Sequence, residues 1–271
     1  MSPNWTFTSK KCNDMATPLA SGHAPVNGIQ MYYEIYGEGG TPLLLLHGGG
    51  STIQTSFAQF IPHLGGTVIA VELQAHGRTT DRDAPESFTQ DADDVAAFIQ
   101  YLQLGAVNVL GFSNGGSTAL QLAIRHPHLV QKLVPIAGAT KRAGFPPGFF
   151  EGMAQGRLEH MPLPLQQGFL AVNPSQQGLQ TMFEKDRDRM IHFQDWPDEL
   201  LQSISAPTLL LVGDKDVVSV AHTQEIAQQI PGAQLAVLPG AHGVMIGEMG
   251  DGTGDNPWPA ITATIVQTFL Q

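Results

Sequence analysis

Short apolar runs, each closed by glycine, proline or a polar turn, recur along this chain with longer amphipathic stretches between them. The runs "PLLLLHG", "TVIAVEL", "VNVLGFS", "KLVPIAG", "PTLLLVGD" and "AQLAVLPG" are continuous rather than alternating, which is the pattern of strands buried on both faces of a parallel sheet. "IQMYYEIYG" alternates and reads as a half-exposed edge strand. Helical periodicity fills the gaps. Over 89–104, Val95, Phe98, Ile99 and Leu102 share one face, and Asp91, Asp93 and Asp94 sit near the positive end of the helix dipole. Further helices are expected over 114–125, 219–230 and 259–271. Strands alternating with helices imply an α/β fold, a mostly parallel central sheet flanked by helices.

One interval breaks the alternation. Residues 141–205, about 65 in number, separate "PIAGAT" from "SAPTLLLVGD", far more than an ordinary connection needs. This insertion carries Phe145, Phe149, Phe150, Met153, Phe169, Leu170, Met182 and Phe183 among prolines, glycines and glutamines. It reads as several short helices forming an apolar cap over the sheet's end. About two thirds of those side chains are expected to pack the cap onto the core, and the rest to shape a pocket. The chain therefore divides into a loosely held tail (1–24), a core (25–140 and 206–271) and the inserted cap (141–205).

Composition narrows the partners. Asp and Glu outnumber Lys and Arg by 24 to 13, a balance that repels nucleic acid and anionic lipid surfaces. No apolar run approaches the 18 or so residues that span a bilayer, so a soluble protein is expected. The first residues lack the apolar stretch of a secretory signal, and Met15 offers an alternative start. The single cysteine, Cys12, permits no internal disulfide, and a reducing cytoplasm is the simplest compartment. No reactive role is assigned to it.

The chemistry centres on "VLGFSNGGST". "GFSNG" fits G-x-S-x-G, a turn in which a strand ends, a serine takes a strained backbone conformation and a helix begins at once. Side chains at Gly111 and Gly115 would collide with the neighbouring strand and helix in so sharp a bend, and Gly116 widens the allowance. The five-residue pattern alone is weak, but a buried strand precedes it and an amphipathic helix follows. Ser113 is thereby lifted in front of a helix N-terminus that favours developing negative charge. A serine hydroxyl needs a base, and the base an orienting carboxylate. "DKD" places Asp214 and Asp216 just past one strand, and "AHG" places His242 just past the next, which is the edge where sites in such folds gather. The glycines after His47 in "LLLLHGGGST" leave backbone N–H groups uncovered. An oxyanion there would receive one hydrogen bond from this loop and one from the amide of Asn114. A phosphate cradle is the competing reading of that loop, but neither G-x-G-x-x-G leading into a helix nor G-x-x-x-x-G-K-[ST] is present. No metal is expected: His126 and His128 of "RHPHL" lack a second ligand pair, and "DGTGD" lacks the remaining ligands of a calcium loop.

In this order the pieces resemble the α/β-hydrolase fold family over roughly residues 25–271. "YYEIYGEG" followed by "PLLLLHGGG" looks like the family's opening hairpin and oxyanion strand. "VIAVELQAHGRT" looks like its D-x-x-G-x-G-x-S/T segment, "GFSNGG" like its elbow, and "LLLVGDKD" and "LPGAHG" like its acid and base loops. The resemblance implies a helical cap inserted after the sixth strand, with Ser113 as nucleophile, His242 as base and Asp216 rather than Asp214 as orienting acid. Gly49 becomes the second oxyanion donor beside Asn114. The chain departs from the pattern where Glu72, Gln74 and Ala75 replace the usual Asp, Arg and Gly, so that loop's contacts are expected to be rebuilt, with His76 structural.

The expected activity is hydrolysis of a small or medium uncharged carboxylic ester, lactone or thioester, without cofactor or metal, on a small-molecule acyl substrate. A serine at the elbow excludes the aspartate-initiated chemistry of dehalogenases and epoxide hydrolases. Carbon–carbon hydrolysis, enol-lactone hydrolysis and peracid formation use the same residues. "HGGGST" and "HGVMIGEM" lack the longer glycine-proline loop and the tryptophan common in relatives that cut carbon–carbon bonds. For a substrate bearing a carboxylate, Lys141 and Arg142 are the candidate counter-charges. A ligand receptor on a hydrolase scaffold is the non-enzymatic alternative. An imidazole base must be neutral, so turnover should fall below about pH 6.5; a flat profile from pH 5 to 8 would exclude such a base.

Overall fold

The computed structural model describes residues 16–249 and 256–271. Cys12, the first fifteen residues of the expected tail, and all of "DGTGD" lie outside that range. Eight strands form one sheet: β1 (Ala20–Val26), β2 (Ile29–Tyr36), β3 (Leu43–Leu46), β4 (Val68–Val71), β5 (Val107–Phe112), β6 (Val130–Ile136), β7 (Leu209–Gly213) and β8 (Gln234–Leu238). Their order is β1-β2-β4-β3-β5-β6-β7-β8. The pairs β1–β2 and β2–β4 are antiparallel and the others parallel. The helices are α1 (Ile53–Phe57), α2 (Phe88–Tyr101), α3 (Asn114–Arg125), α4 (Phe149–Ala154), α5 (Leu163–Val172), α6 (Gln176–Ile191), α7 (Asp198–Gln202), α8 (Val220–Gln229) and α9 (Trp258–Leu270).

Alternation of side chains across a sheet explains why the central strands are apolar throughout. Leu44 and Leu46, with Ile69 and Val71, face a cluster completed by Val95, Phe98 and Ile99 of α2 and Leu120 of α3. Leu43 and Leu45, with Val68 and Ala70, face a second cluster holding Phe57 of α1 and Val266 of α9. Each fully buried Leu, Val or Phe contributes about 1.5–3 kcal/mol relative to exposure. The two layers are what hold β3, β5, β7 and β8 in line, so the loops leaving their C-terminal ends share one rim.

Four expectations are corrected. Residues 20–24 are not tail but the start of β1, joined to β2 through the Asn27-Gly28 turn, where both residues have positive φ; "SGHAPV" is too polar to announce a strand. The opening hairpin is therefore β1–β2, while β3 pairs with β4 and β5. β2 is an inner strand between β1 and β4, and of its residues only Gln30 is exposed. β8, read as buried on both sides, is the edge, and its residues are exposed or half-buried. Finally, α7 belongs with the core: Leu201 and the following Ile204 pack in the same cluster as Ile226 of α8. Among the described residues, the part that stands clear of the sheet ends before α7.

The inserted helices carry two apolar clusters of their own. One joins Met161, Leu165, Phe169, Leu179 and Met182. The other joins Met190 and Phe193 to Phe88, with Phe145, Phe149, Phe150 and Met153 packed against them. Tight backbone contact sets the position of α3. A Cβ at Gly111 would lie 2.0 Å from the Gly115 carbonyl oxygen, and one at Gly115 would lie 2.2 Å from the Leu46 carbonyl oxygen. No side-chain adjustment relieves either collision, because the obstructing atoms are backbone.

Candidate active site

The turn between β5 and α3 places Ser113 at φ 54°, ψ −119°, a conformation that residues with a Cβ rarely adopt and that costs about 1–3 kcal/mol. The surrounding backbone imposes it. Ser113 N–H donates to the Ile136 carbonyl at 2.8 Å on one side, and the Ser117 N–H donates to the Ser113 carbonyl at 3.1 Å on the other. Its hydroxyl lies 2.9 Å from His242 Nε2, and His242 Nδ1 lies 2.7 Å from Asp216 Oδ1. The carboxylate thus selects the tautomer protonated on Nδ1, leaving Nε2 to accept the serine proton. The Asp216 side chain is fully buried, and the same oxygen accepts from Val218 N–H at 3.0 Å. Of the two aspartates, Asp216 is the one within hydrogen-bond distance of His242. Asp214 instead accepts the Gly240 N–H at 2.7 Å and so anchors the loop that carries His242. The Phe112 ring packs 4.7 Å from the imidazole, centroid to centroid.

Gly49 and Asn114 both border the cavity in front of Ser113. Asn114 is the first residue of α3, so its N–H has no acceptor within the helix. The Gly48–Ser51 loop is turned by a Ser51 N–H to Gly48 carbonyl bond at 3.3 Å and by Gly50 at φ 70°. Beneath it, His47 is buried and neutral. Its Nδ1 donates to the Gly48 carbonyl at 2.7 Å, its Nε2 accepts from Leu73 N–H at 2.9 Å, and burial, reinforced by the nearby His76 charge, pulls it down to about 3. On the far side, the Ser51 hydroxyl donates to Glu248 at 2.6 Å.

A polar network unannounced by any motif lies against this loop. Asp186, on α6, accepts from Gly50 N–H at 2.6 Å, His76 Nε2 at 2.9 Å and Asn114 Nδ2 at 3.2 Å, and from Arg189. Arg189 also pairs with Glu86 at 2.9 Å and with Asp91. Burial pulls His76 down, yet the Asp186 carboxylate outweighs it and the imidazole is raised to about 9. Burial works against the Asp186 anion in turn, and the His76 and Arg189 cations override it, holding the carboxyl well below the usual carboxylate range. Burial, with the Asp186 and Asp91 carboxylates nearby, outweighs Arg189 and His76, and Glu86 is pushed up to about 8. His76 thus does more than fill space. The loop that bears it is rebuilt as the substitutions implied. Glu72 accepts from Arg78 N–H at 2.6 Å and from its guanidinium, Gln74 donates to Asp81 at 2.8 Å, and Ala75 sits at φ 62° where a glycine would be unstrained.

The cavity measures about 410 Å³. Phe145, Phe149, Met153 and Phe183 line it, four of the eight cap side chains singled out, whereas Phe169 and Met182 pack inside the cap. Lys141 and Arg142 do not reach it. Lys141 pairs with Asp198 at 2.7 Å, and Arg142 donates to the Ile191 and Phe193 carbonyls with its guanidinium 3.5 Å over the Phe150 ring. The basic side chains on the cavity wall are Arg157 and Arg187.

A mostly parallel sheet with a serine held on such a turn, facing a histidine–aspartate pair at the strands' ends, defines the α/β-hydrolase class. Residues 41–172 match the alpha/beta hydrolase fold family, and the chain as a whole has that fold. The human serine hydrolase BPHL is 29% identical, the alignment covering 82% of this chain and 80% of that protein. The 3-oxoadipate enol-lactonase 2 of Acinetobacter baylyi is 26% identical over 79% of this chain and 86% of its own length. Among solved structures, a meta-cleavage product hydrolase from Pseudomonas fluorescens IP01 superposes with a TM-score of 0.75 at 21% identity, covering 93% of this chain and 97% of that one.

Two outcomes follow. Because Ser113 holds a conformation suited to glycine, Ser113→Gly should unfold at higher denaturant than Ser113→Ala, by about 1 kcal/mol in chemical denaturation. The protonated His76 contributes stability fully present below the ordinary imidazole value and lost as pH rises towards about 9, and Glu86, raised to about 8, acts in the same direction. Melting temperature should therefore fall between pH 7 and 9, and His76→Gln should flatten that slope; an unchanged slope would remove His76 as its source.

Proposed function

We propose that this protein is a cofactor-independent serine hydrolase that cleaves a small or medium, uncharged carboxylic ester, lactone or thioester through an acyl-enzyme. The observation that carries the reading is the unbroken chain Ser113 Oγ, His242, Asp216, at 2.9 and 2.7 Å, opening onto a cavity whose lining includes Phe145, Phe149, Phe183, Met153 and Met161. The volume falls in the range of small-molecule sites. The enol-lactonase relative supports the inclusion of lactones.

Ser113 Oγ attacks the substrate carbonyl carbon as its proton passes to His242 Nε2, and Asp216 stabilises the resulting imidazolium. The carbonyl oxygen, now an oxyanion, turns towards the N–H groups of Gly49 and Asn114, at the positive end of α3. Collapse of this intermediate expels the leaving alcohol or thiol, which takes the proton from His242. Water then gives a proton to the same imidazole, adds to the acyl carbon and releases the acid, with the proton returning to Ser113. A ligand receptor on the same scaffold would have no use for the acid–base–serine alignment.

Ser113→Ala should lower kcat on a chromogenic ester by roughly 10⁶, about 8 kcal/mol of barrier, with the fold retained. A variant keeping a tenth of the activity would remove Ser113 from the role. Fluorophosphonate labelling of the wild type should modify Ser113; an unlabelled protein inert towards a chain-length series of chromogenic esters would favour the receptor.

A further inference from the structure

The oxyanion loop poses a mechanical problem. Gly48, Gly49 and Gly50 have no side chains to anchor them, and consecutive glycines have the largest conformational freedom to lose. Yet donors for a tetrahedral oxyanion act only if they point at it before charge develops. Something outside the loop must hold them.

We propose that Asp186, on α6 of the inserted segment, is the positioning residue that assembles both oxyanion donors, so that the oxyanion pocket is formed only while the cap is seated. This rests on the hydrolase reading above. One carboxylate oxygen, Oδ2, accepts the N–H of Gly50, the residue after the first donor, at 2.6 Å. The other, Oδ1, accepts the side-chain amide of Asn114, the second donor, at 3.2 Å. Gly49 is pressed between them: a Cβ there would lie 2.5 Å from Asn114 Nδ2 and 3.3 Å from Asp186 Oδ1. The carboxylate spans the two halves of the oxyanion site and reaches it from a different part of the chain.

Asp186 is itself fixed. His76 Nε2 completes the hydrogen bonding of Oδ2 at 2.9 Å, and Arg189 that of Oδ1. With two donors on each oxygen, the carboxylate has no capacity left for a substrate amine or alcohol, although it borders the cavity. It acts through its neighbours rather than on the substrate. The opposite side of the loop is tied by Ser51 to Glu248 at 2.6 Å, six residues beyond His242. The loop is therefore strung between the cap and the segment carrying the base. Moving α6 away removes one of its ties and leaves those of His47 and Glu248.

The test compares the wild-type chain with Asp186→Asn, which keeps the size but cannot accept all four donors. Turnover of p-nitrophenyl butyrate should show kcat lowered by about 30- to 300-fold with KM changed less than about threefold, since a misplaced oxyanion donor weakens the transition state alone. The inhibition constant of a butyl trifluoromethyl ketone, which forms an oxyanion adduct with an active serine, should rise in proportion. That of the matching alkyl ether, which forms none, should stay unchanged. A general loss of structure would weaken both ligands together and overturn the proposal, as would unaltered kcat. A second readout needs no turnover. In the Ser113→Ala background, amide exchange at Gly50 should become at least about tenfold faster on adding Asp186→Asn, with β3 and β5 amides unaffected. Unchanged exchange refutes the clasp. If the wild type is inert to ester and fluorophosphonate alike, it is the hydrolase reading that fails, and the exchange experiment still decides whether Asp186 holds the loop.

Discussion

The bend at Ser113 is the constraint on which the rest of the molecule depends. A β-strand must end and a helix must start within one residue, and that residue must carry a hydroxyl. The backbone reaches this by placing a residue with a Cβ where glycine would be comfortable. The strain persists because sheet hydrogen bonds hold one side and α3 holds the other. For α3 to lie close enough, Gly111 and Gly115 must present bare backbone to one another and to β3. The two apolar layers on either face of the sheet supply the stability against which this local cost is set. Rigid strands also keep the serine, aspartate and histidine loops in register, although more than a hundred residues separate the first from the last.

Charge in the site is arranged by burial as much as by pairing. Asp216 is buried beside His242 and positioned by a backbone N–H, so the imidazole is oriented without competition from water. A second carboxylate–histidine pair, Asp186 and His76, lies on the other side of the oxyanion loop, and there the histidine is held protonated. The two pairs differ in their surroundings. His76 is enclosed with an anion and no solvent, so its proton stays; His242 faces a cavity and a hydroxyl, an arrangement suited to passing a proton on. His47, enclosed between them without an anion of its own, stays neutral and serves as a bracket for the loop backbone.

The cap links these features. It encloses the cavity with Phe145, Phe149, Met153 and Phe183, and on α6 it brings a carboxylate to the oxyanion loop. A lid that only covered a pocket would need apolar side chains alone. This one also bears a charged network, Asp186 with Arg189, Glu86 and Asp91, whose partners come from the core. Within it Arg189 is shared between Asp186 of the inserted helix and Glu86 and Asp91 of the core, so these charges tie the two parts together.

Local pattern carried much of this. Continuous apolar runs marked six of the eight strands; for β3 to β7 the reason is that a strand covered on both faces has no solvent side to alternate, whereas β8 carries such a run at the sheet's edge. The α3 boundaries were legible because a glycine-bounded serine and a proline bracket an amphipathic stretch. The order of Ser113, Asp216 and His242, each just past a strand, was readable for the same reason. What the linear pattern lacked was anything depending on the approach of distant segments. β1 is polar and becomes a strand only by pairing with β2; β8 is apolar yet ends at the sheet's edge; α7 sits beyond the inserted helices in sequence but shares the core in space. Asp186, in the run "DRDR", looks like an ordinary solvated helix face. Only folding brings it beside Gly50, Asn114 and His76, because periodicity reports which face of an element is buried and carries no information about which partner it meets.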